Sequence, residues 1–233
     1  MFFSSDYLLF AQSDEKKVSE SFFAEGLEAF KWQKTDEAVS LFEKAVQENP
    51  GNDKVYLFLG YCWQDKKNYL KAEEIFTEGI NLNGREKELL LFSRANMRAE
   101  SGSFENAVSD YKSVIAMNGN LKSSAILNLA NLYLNNGKLQ EALDSYKTYM
   151  TVYPDNPQKE NIAKLIDLLS NRLVSEAEAA RLAAEQAKAE EERKKALMEE
   201  VQASLNESGK DTKSITAGSE KIMEDLEDSA LEE

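Results

Sequence analysis

The side chains of this chain that could carry out acid–base or metal chemistry are mostly carboxylates, with 42 aspartates and glutamates among 233 residues. General acid–base catalysis needs a positioned pair of groups, and no such pair stands out by spacing. The acidic run at 190–192 is typical of a solvated helix face, and Asp53, Asp65 and Asp155 lack the loop spacing of a calcium site. The carboxylates therefore predict neither a catalytic centre nor a metal site.

Histidine is absent, and Cys62 is the single cysteine. These counts exclude Ser–His–Asp and Cys–His catalysis, histidine metal ligation, a disulfide within the chain and a thiolate cluster. Cys62 lies between Tyr61 and Trp63, where we expect a buried thiol that serves only in packing. We therefore expect no enzyme and no cofactor.

The charge balance bears on the choice of partner. Lysine and arginine number 28, which gives a formal net charge of −14. A phosphate backbone would be repelled by such a chain, so we expect a protein or peptide partner and no nucleic acid. No apolar run approaches the roughly 20 residues of a membrane-spanning helix.

Residues 1–18 allow two interpretations. The short apolar run from Tyr7 to Ala11 ends in a small residue, as the tail of an export signal does, but Asp6 and the lack of a basic start argue against one. A truncated signal at residues 1–11 would place the protein in the periplasm or outside the cell. The alternative is a segment that frays or docks on the protein itself, in a cytoplasmic protein.

Small residues and aromatic residues recur along residues 19–156. Two small residues lie 12 apart, an aromatic residue follows four later, and the unit repeats after 34, 35 and 35 residues. The first small residues are Gly26, Gly60, Ala95 and Ala130; the second are Ala38, Ala72, Ala107 and Ala142; the aromatics are Phe42, Phe76, Tyr111 and Tyr146. Helix–turn–helix units explain this pattern, because small residues let two helices approach closely and the aromatic fills the remaining space.

These residues resemble the tetratricopeptide-repeat (TPR) family. The second unit matches that family's motif best, through Tyr56, Leu59, Gly60, Trp63, Ala72 and Phe76. Other units depart from it, with Glu25, Arg94 and Arg98 at usually apolar positions, and Gly84 and Gly119 where proline usually stands. The resemblance implies an all-α helical solenoid of four units, at 19–52, 53–86, 88–121 and 123–156, with turns inside units at Gly102 and Gly137.

Three segments follow the repeats. At 157–173, apolar residues at three- and four-residue steps predict a helix that caps the fourth unit, with a partner-binding helix as the alternative. Residues 174–203, rich in Ala, Glu and Lys, predict a long solvated helix. It lacks a large apolar residue between Leu182 and Leu197, which favours a spacer over a coiled coil. Residues 204–233 predict a disordered acidic tail or a short acidic binding motif.

The TPR resemblance implies that the first helix of each unit lines a concave groove. Two positions per unit would face it: Phe23, Leu57, Phe92 and Leu127, then Leu27, Tyr61, Asn96 and Asn131. TPR proteins that clamp a terminal carboxylate would carry lysine and arginine there, and these are absent. Apolar pockets and asparagine amides could instead hold a peptide or helix, unless this line is only helix-to-helix core.

The expected function is therefore that of a scaffold or adaptor that binds a partner in the concave groove. An assembly factor or co-chaperone for an envelope, secretion or flagellar complex is the alternative among binding proteins. A structural strut with the long helix as a spacer is the alternative of another class. The apolar side chains of Tyr7, Leu8, Leu9 and Phe10 could cover the groove in the resting protein.

Overall fold

The computed structural model describes the backbone of residues 5–229 and the side chains of residues 15–207. Nine helices make up the described backbone. They are α1 (Ser5–Lys31), α2 (Thr35–Glu48), α3 (Asp53–Asp65), α4 (Tyr69–Asn81), α5 (Lys87–Glu100), α6 (Phe104–Met117), α7 (Lys122–Asn135), α8 (Leu139–Val152) and α9 (Lys159–Ser229). No strand occurs between residues 5 and 229, which confirms the all-α class. Two compact units meet between Asn171 and Arg172.

Helices α1 to α8 form four antiparallel pairs, and the second helix of each pair packs on the first helix of the next. The first pair begins earlier than the predicted unit, because α1 starts at Ser5 rather than near residue 19. Its residues up to 14 have no described side chains, so the expected docking of Tyr7–Phe10 lies outside the described residues. The stacked pairs confirm the predicted helical solenoid.

The small residues have the packing role that the repeat predicted. A Cβ atom built on Gly26 would lie 2.6 Å from the Phe42 ring, and one on Gly60 would lie 2.4 Å from the Phe76 ring. The second small residue of each unit is fully buried, at Ala38, Ala72, Ala107 and Ala142. Since neither ring could move away within a packed core, a larger residue would force the helices of a pair apart.

The turn inside each pair uses one left-handed residue at the same repeat position. Gly102 and Gly137 have φ of +81° and +70°, and Gln33 and Lys67 have φ of 57° and 58°. Glycine takes this conformation without the steric cost that a Cβ atom brings. The turns expected at Gly102 and Gly137 are therefore confirmed, and units one and two make the same turn with ordinary residues.

Connections between pairs take two forms, which explain the unequal repeat length. Asn49 and Tyr153 precede prolines and have φ of −145° and −128°, in the extended region that a following proline favours. Asn83 and Asn118 precede glycines and adopt φ of 54°. The two asparagine–glycine connections are those with a 35-residue spacing, so the extra residue belongs to the left-handed form of the turn.

The arginines of the third unit form a buried ionic network instead of an apolar contact. Asp110, whose side chain is 5% exposed, accepts hydrogen bonds from Arg94 at 2.8 and 2.9 Å and from Arg98 at 2.7 Å. Arg98 also bonds Glu73 at 2.5 Å, and Arg94 donates to Thr77 Oγ1 at 2.7 Å. The network joins α4, α5 and α6, and it accounts for the departure of Arg94 and Arg98 from the motif.

The departure at Glu25 has a different reason. In α5 the equivalent residue is Arg94, which bonds Thr77 of the preceding helix α4. In the described part of the chain, no second helix precedes α1 in this way. Glu25 is exposed, as is Ser21 one turn before it. A carboxylate at this position is consequently solvated rather than buried.

The start of α9 carries the apolar face that was predicted to cap the array. Ile162 and Leu169 are each 3% exposed, and Leu165 and Ile166 are half-buried, whereas Leu168 on the other side is 65% exposed. These four residues share one helix face, and an isolated helix cannot bury its own face. Their burial supports the capping role proposed for residues 157–173.

Truncation tests that role. Removal of everything after Leu173 should leave the melting temperature of the repeats unchanged, because the side chains of residues 174–207 are all exposed. Truncation after Asn156 should lower the free energy of unfolding by about 3 kcal/mol or more, because the buried side chains of Ile162 and Leu169 are then lost. Thermal and urea melts followed by circular dichroism compare the two. Identical melts for both truncations would show that this helix does not cap the array.

The remainder of α9 differs from expectation at its end. The backbone is helical through Ser229, whereas a disordered tail was predicted from residue 204. Residues 204–229 contain no proline, and each of the two glycines, Gly209 and Gly218, costs a helix only about 1 kcal/mol. The side chains that would form an acidic binding motif there lie outside the described residues.

Candidate partner-binding groove

The first helices of the pairs form the inner side of the array. Consecutive first helices contact each other, in the pairs α1–α3, α3–α5 and α5–α7, whereas no contact joins consecutive second helices among those described. Helices on the inside of a curved stack must lie closer together than those on the outside. The groove is therefore lined by α1, α3, α5 and α7, as the TPR resemblance implied.

The predicted groove residues differ in how much surface they offer. Most are half-buried: Phe23, Leu27, Tyr61, Phe92, Asn96 and Leu127. Asn131 is exposed, and Leu57 is 4% exposed. Leu57 therefore belongs to the core and offers a partner almost no surface, which corrects its place in the predicted site. The remaining seven residues are all on the first helices, with surface left for contact.

The N-terminal half of the groove is an aromatic cluster. The Phe58 ring lies 5.7 Å from Phe30, 5.8 Å from Phe23 and 6.2 Å from Tyr61, all in edge-to-face geometry. Phe58 lies outside the two positions per unit that the TPR resemblance implies for the groove. It follows Leu57 directly, and one step along a helix turns the side chain by about 100°. Phe58 is half-buried, so α3 offers the surfaces of Phe58 and Tyr61, and Leu57 offers almost none.

The C-terminal half of the groove is lined by side-chain amides. Asn96 Oδ1 accepts hydrogen bonds from the Tyr111 hydroxyl at 2.6 Å and from Asn128 Nδ2 at 2.9 Å. Asn131 Oδ1 accepts one from the Tyr146 hydroxyl at 2.5 Å. Each asparagine thus fixes the repeat's tyrosine, a role that the sequence did not reveal. No hydrogen bond from the Nδ2 groups of Asn96 and Asn131 is seen within the described residues, so these donors remain available to a ligand.

One carboxylate at the end of a groove-lining helix connects two repeat units. Glu100, at the end of α5, accepts hydrogen bonds from Lys67, from Gln64 Nε2 at 2.7 Å and from the Tyr69 hydroxyl at 3.0 Å. These hydrogen bonds hold the pKa of Glu100 below its usual value, and the bond from Lys67 contributes most. The same pairing raises the pKa of Lys67. Glu100 therefore links the second and third units, and it stays ionised at neutral pH.

The only cysteine is not a reactive group. Cys62 is fully buried, and burial, with a smaller contribution from Asp65, raises the pKa of its thiol to about 12. A thiol of such high pKa is protonated at neutral pH and is a poor nucleophile. Among the described side chains, no group of His, Cys, Asp and Glu is placed to hold a metal ion. Likewise, none of the described helices is long and apolar enough to cross a membrane.

Comparison with known proteins agrees with this geometry. The pilF protein of Pseudomonas aeruginosa superposes with a TM-score of 0.56 at 15% identity, over 70% of this chain and 72% of that one. YrrB, described as a TPR protein with an unusual peptide-binding site, superposes with a TM-score of 0.54 at 14% identity, over 72% and 84%. At these identities the likeness shows the fold alone.

Sequence comparison identifies the family. The Protein SGT1 homolog of Bos taurus is 34% identical over 67 residues, which are 29% of this chain and 20% of that protein. The chain thus spans about a fifth of that relative's length. Two tetratricopeptide-repeat family models match residues 29–89 and 92–157, together more than half of the chain. With the four stacked helix pairs, these matches show that the chain belongs to the tetratricopeptide-repeat family.

Proposed function

We propose that the protein is an interaction scaffold that binds a segment of a partner protein in its concave groove. The observation that carries this proposal is the surface left on the first helices, where Phe58, Tyr61 and Phe92 are only half-buried. Aromatic side chains with part of their surface exposed in a concave site are typical anchors for protein partners. TPR proteins generally act as non-enzymatic interaction modules, and YrrB, which shares this fold, is described as having a peptide-binding site.

The two halves of the groove suit different parts of a bound segment. The aromatic cluster around Phe58 would accept apolar side chains. The Nδ2 groups of Asn96 and Asn131 can donate to main-chain carbonyls, which every peptide offers. A segment with apolar residues at one end and an extended backbone at the other fits this arrangement.

Recognition by this groove should depend little on charge. The aromatic and amide side chains that line its floor are uncharged, whereas lysine and arginine would be needed to clamp a terminal carboxylate. The formal charge of −14 also disfavours nucleic acid, which would be repelled. We therefore propose a protein or peptide ligand whose binding weakens only slightly with added salt.

The test uses a peptide selected from a random library on the full chain. Phe92→Ala should raise the Kd of that peptide about fivefold or more, because a central aromatic anchor is worth over about 1 kcal/mol. Phe92 also packs on Tyr111, with ring centroids 6.0 Å apart, so titrations are run well below the melting temperature of the variant. Calorimetric or fluorescence titration gives the Kd.

Leu70→Ala is the matched control. Leu70 is 86% exposed on α4, a second helix, so it lies away from the groove. Its loss should leave the Kd unchanged. A peptide that is insensitive to Phe92→Ala and Tyr61→Ala but sensitive to Leu70→Ala would place the interface on the outer face and refute the proposal.

A further inference from the structure

Helix α9 exposes a run of large apolar side chains that no described residue covers. Met198, Val201 and Leu205 are 73%, 51% and 63% exposed, and Leu197 beside them is 59% exposed. Met198, Val201 and Leu205 are separated by three and four residues, the spacing of the a and d positions of a coiled coil. Such a stripe on a lone helix would be solvated along its whole length, which is unfavourable for side chains of this size.

The same heptad positions, counted back along α9, hold small residues. They are Ala187, Ala184, Ala180 and Ala177, all exposed. Between the alanines and the large residues lie Glu191 and Lys194, at the central a and d positions. These heptad positions thus form a stripe with a small end, a charged centre and a large apolar end.

We infer that α9 pairs with α9 of a second copy of this chain, in antiparallel orientation. A pair centred between Glu191 and Lys194 brings Glu191 of each copy opposite Lys194 of the other. Outward from that centre, Ala187 faces Met198 and Ala184 faces Val201. Ala180 faces Leu205 in the same register. Large side chains opposite small ones fill the space between two closely packed helices.

Charge selects this orientation over the parallel one. Parallel pairing in register would place Glu191 against Glu191 and Lys194 against Lys194, both buried at the centre of the seam. Antiparallel pairing replaces both repulsive contacts with attractive ones. Within one chain, Lys194 Nζ already lies 2.8 Å from Glu190 Oε1. A lysine ammonium has three donors, so it can bond Glu190 and the second copy's Glu191 together.

The seam is long enough to hold two helices together. In the antiparallel register the facing residues run from 180 to 205, which is about 38 Å of helix. The seam contains none of the groove residues, so this inference does not depend on the proposed function. It also revises the interpretation of residues 174–203 as a lone spacer.

Sedimentation equilibrium of the full chain tests the inference. The unmodified protein should be a dimer, and Glu191→Lys should raise the dimer Kd about tenfold or more, because it places lysine opposite lysine. The charge swap Glu191→Lys with Lys194→Glu should restore the dimer. Glu192→Lys, the same charge change at a position outside the seam, is the control and should leave the Kd nearly unchanged. A monomer at about 100 µM would overturn the inference, as would a double variant no better than Glu191→Lys.

Disulfide trapping tests the orientation independently. Val201→Cys mixed with Ala184→Cys should give mainly the mixed disulfide, because these positions face each other only in the antiparallel pair. Cross-linking of each variant chiefly with itself would indicate a parallel pair and overturn the assignment. The buried Cys62 should not interfere, and the repeat array should melt unchanged in all variants.

Discussion

Asp110→Ala is expected to lower the free energy of unfolding by about 3–5 kcal/mol. The substitution removes the shared acceptor of Arg94 and Arg98, whose side chains are each only 12% exposed. Both guanidinium groups would remain buried with part of their charge uncompensated, and Arg98 Nε already lacks a partner. Urea unfolding followed by circular dichroism measures the loss. Asp144→Ala, at an exposed aspartate of α8, is the control and should change stability by about 0.5 kcal/mol or less.

Residues of the second unit suggest a variant that separates the loss of charge pairing from a change in packing. The positions of Arg94, Arg98 and Asp110 correspond, 35 residues earlier, to Leu59, Trp63 and Ile75. A triple variant that introduces those three residues into the third unit removes every charge of the network except Glu73, which is partly exposed. Replacement of a buried ionic network by apolar residues is often neutral or stabilising. A triple variant as unstable as Asp110→Ala would contradict this explanation, because the loss would then come from altered packing.

Ala72→Arg should unfold the second unit or lower the free energy of unfolding by more than about 4 kcal/mol. Such a loss is among the largest that single substitutions produce. Ala72 is fully buried at the second small position of its repeat, so a long charged side chain would have to separate α3 from α4. The full chain should lose cooperativity in its thermal melt, because each unit is stabilised by its neighbours.

Ala116→Arg provides the matched control for Ala72→Arg. Ala116 is exposed on α6, where the same substitution adds a solvated charge and should shift stability by about 0.5 kcal/mol or less. Equal melting shifts for the two arginine variants would mean that the repeat register is wrong.

Much of the fold could be predicted from the sequence, because the TPR fold depends on a few close contacts. Gly60 and Ala72 mark where two helices approach, and Gly102 and Gly137 mark left-handed turns. Each of these features follows from the type of a single residue, so one sequence is enough to predict it. The network at Asp110 could not be predicted in the same way. Arg94 and Arg98 were visible as departures from the motif, but their partners lie on two other helices, and only the packing brings them together.

The groove was predictable in position but not in detail. The first helices were correctly expected on the inner side, yet Leu57 is buried while its neighbour Phe58 reaches the surface. Which of these two adjacent residues is buried depends on the angle at which α3 packs, and the repeat pattern does not specify that angle. The positions of Asn96 and Asn131 on the groove-lining helices could be predicted, whereas their bonds to Tyr111 and Tyr146 depend on tertiary distance.

Hydrogen exchange with and without a saturating selected peptide is the most direct test of the proposed groove. The bound peptide should slow amide exchange in the first helices, most strongly in α3 and α5 around Phe58 and Phe92. In the outer helices α4, α6 and α8, exchange should change only by the general stabilisation that any bound ligand brings. Protection confined to those outer helices or to the 172–207 part of α9, with α3 and α5 unchanged, would contradict binding in the groove.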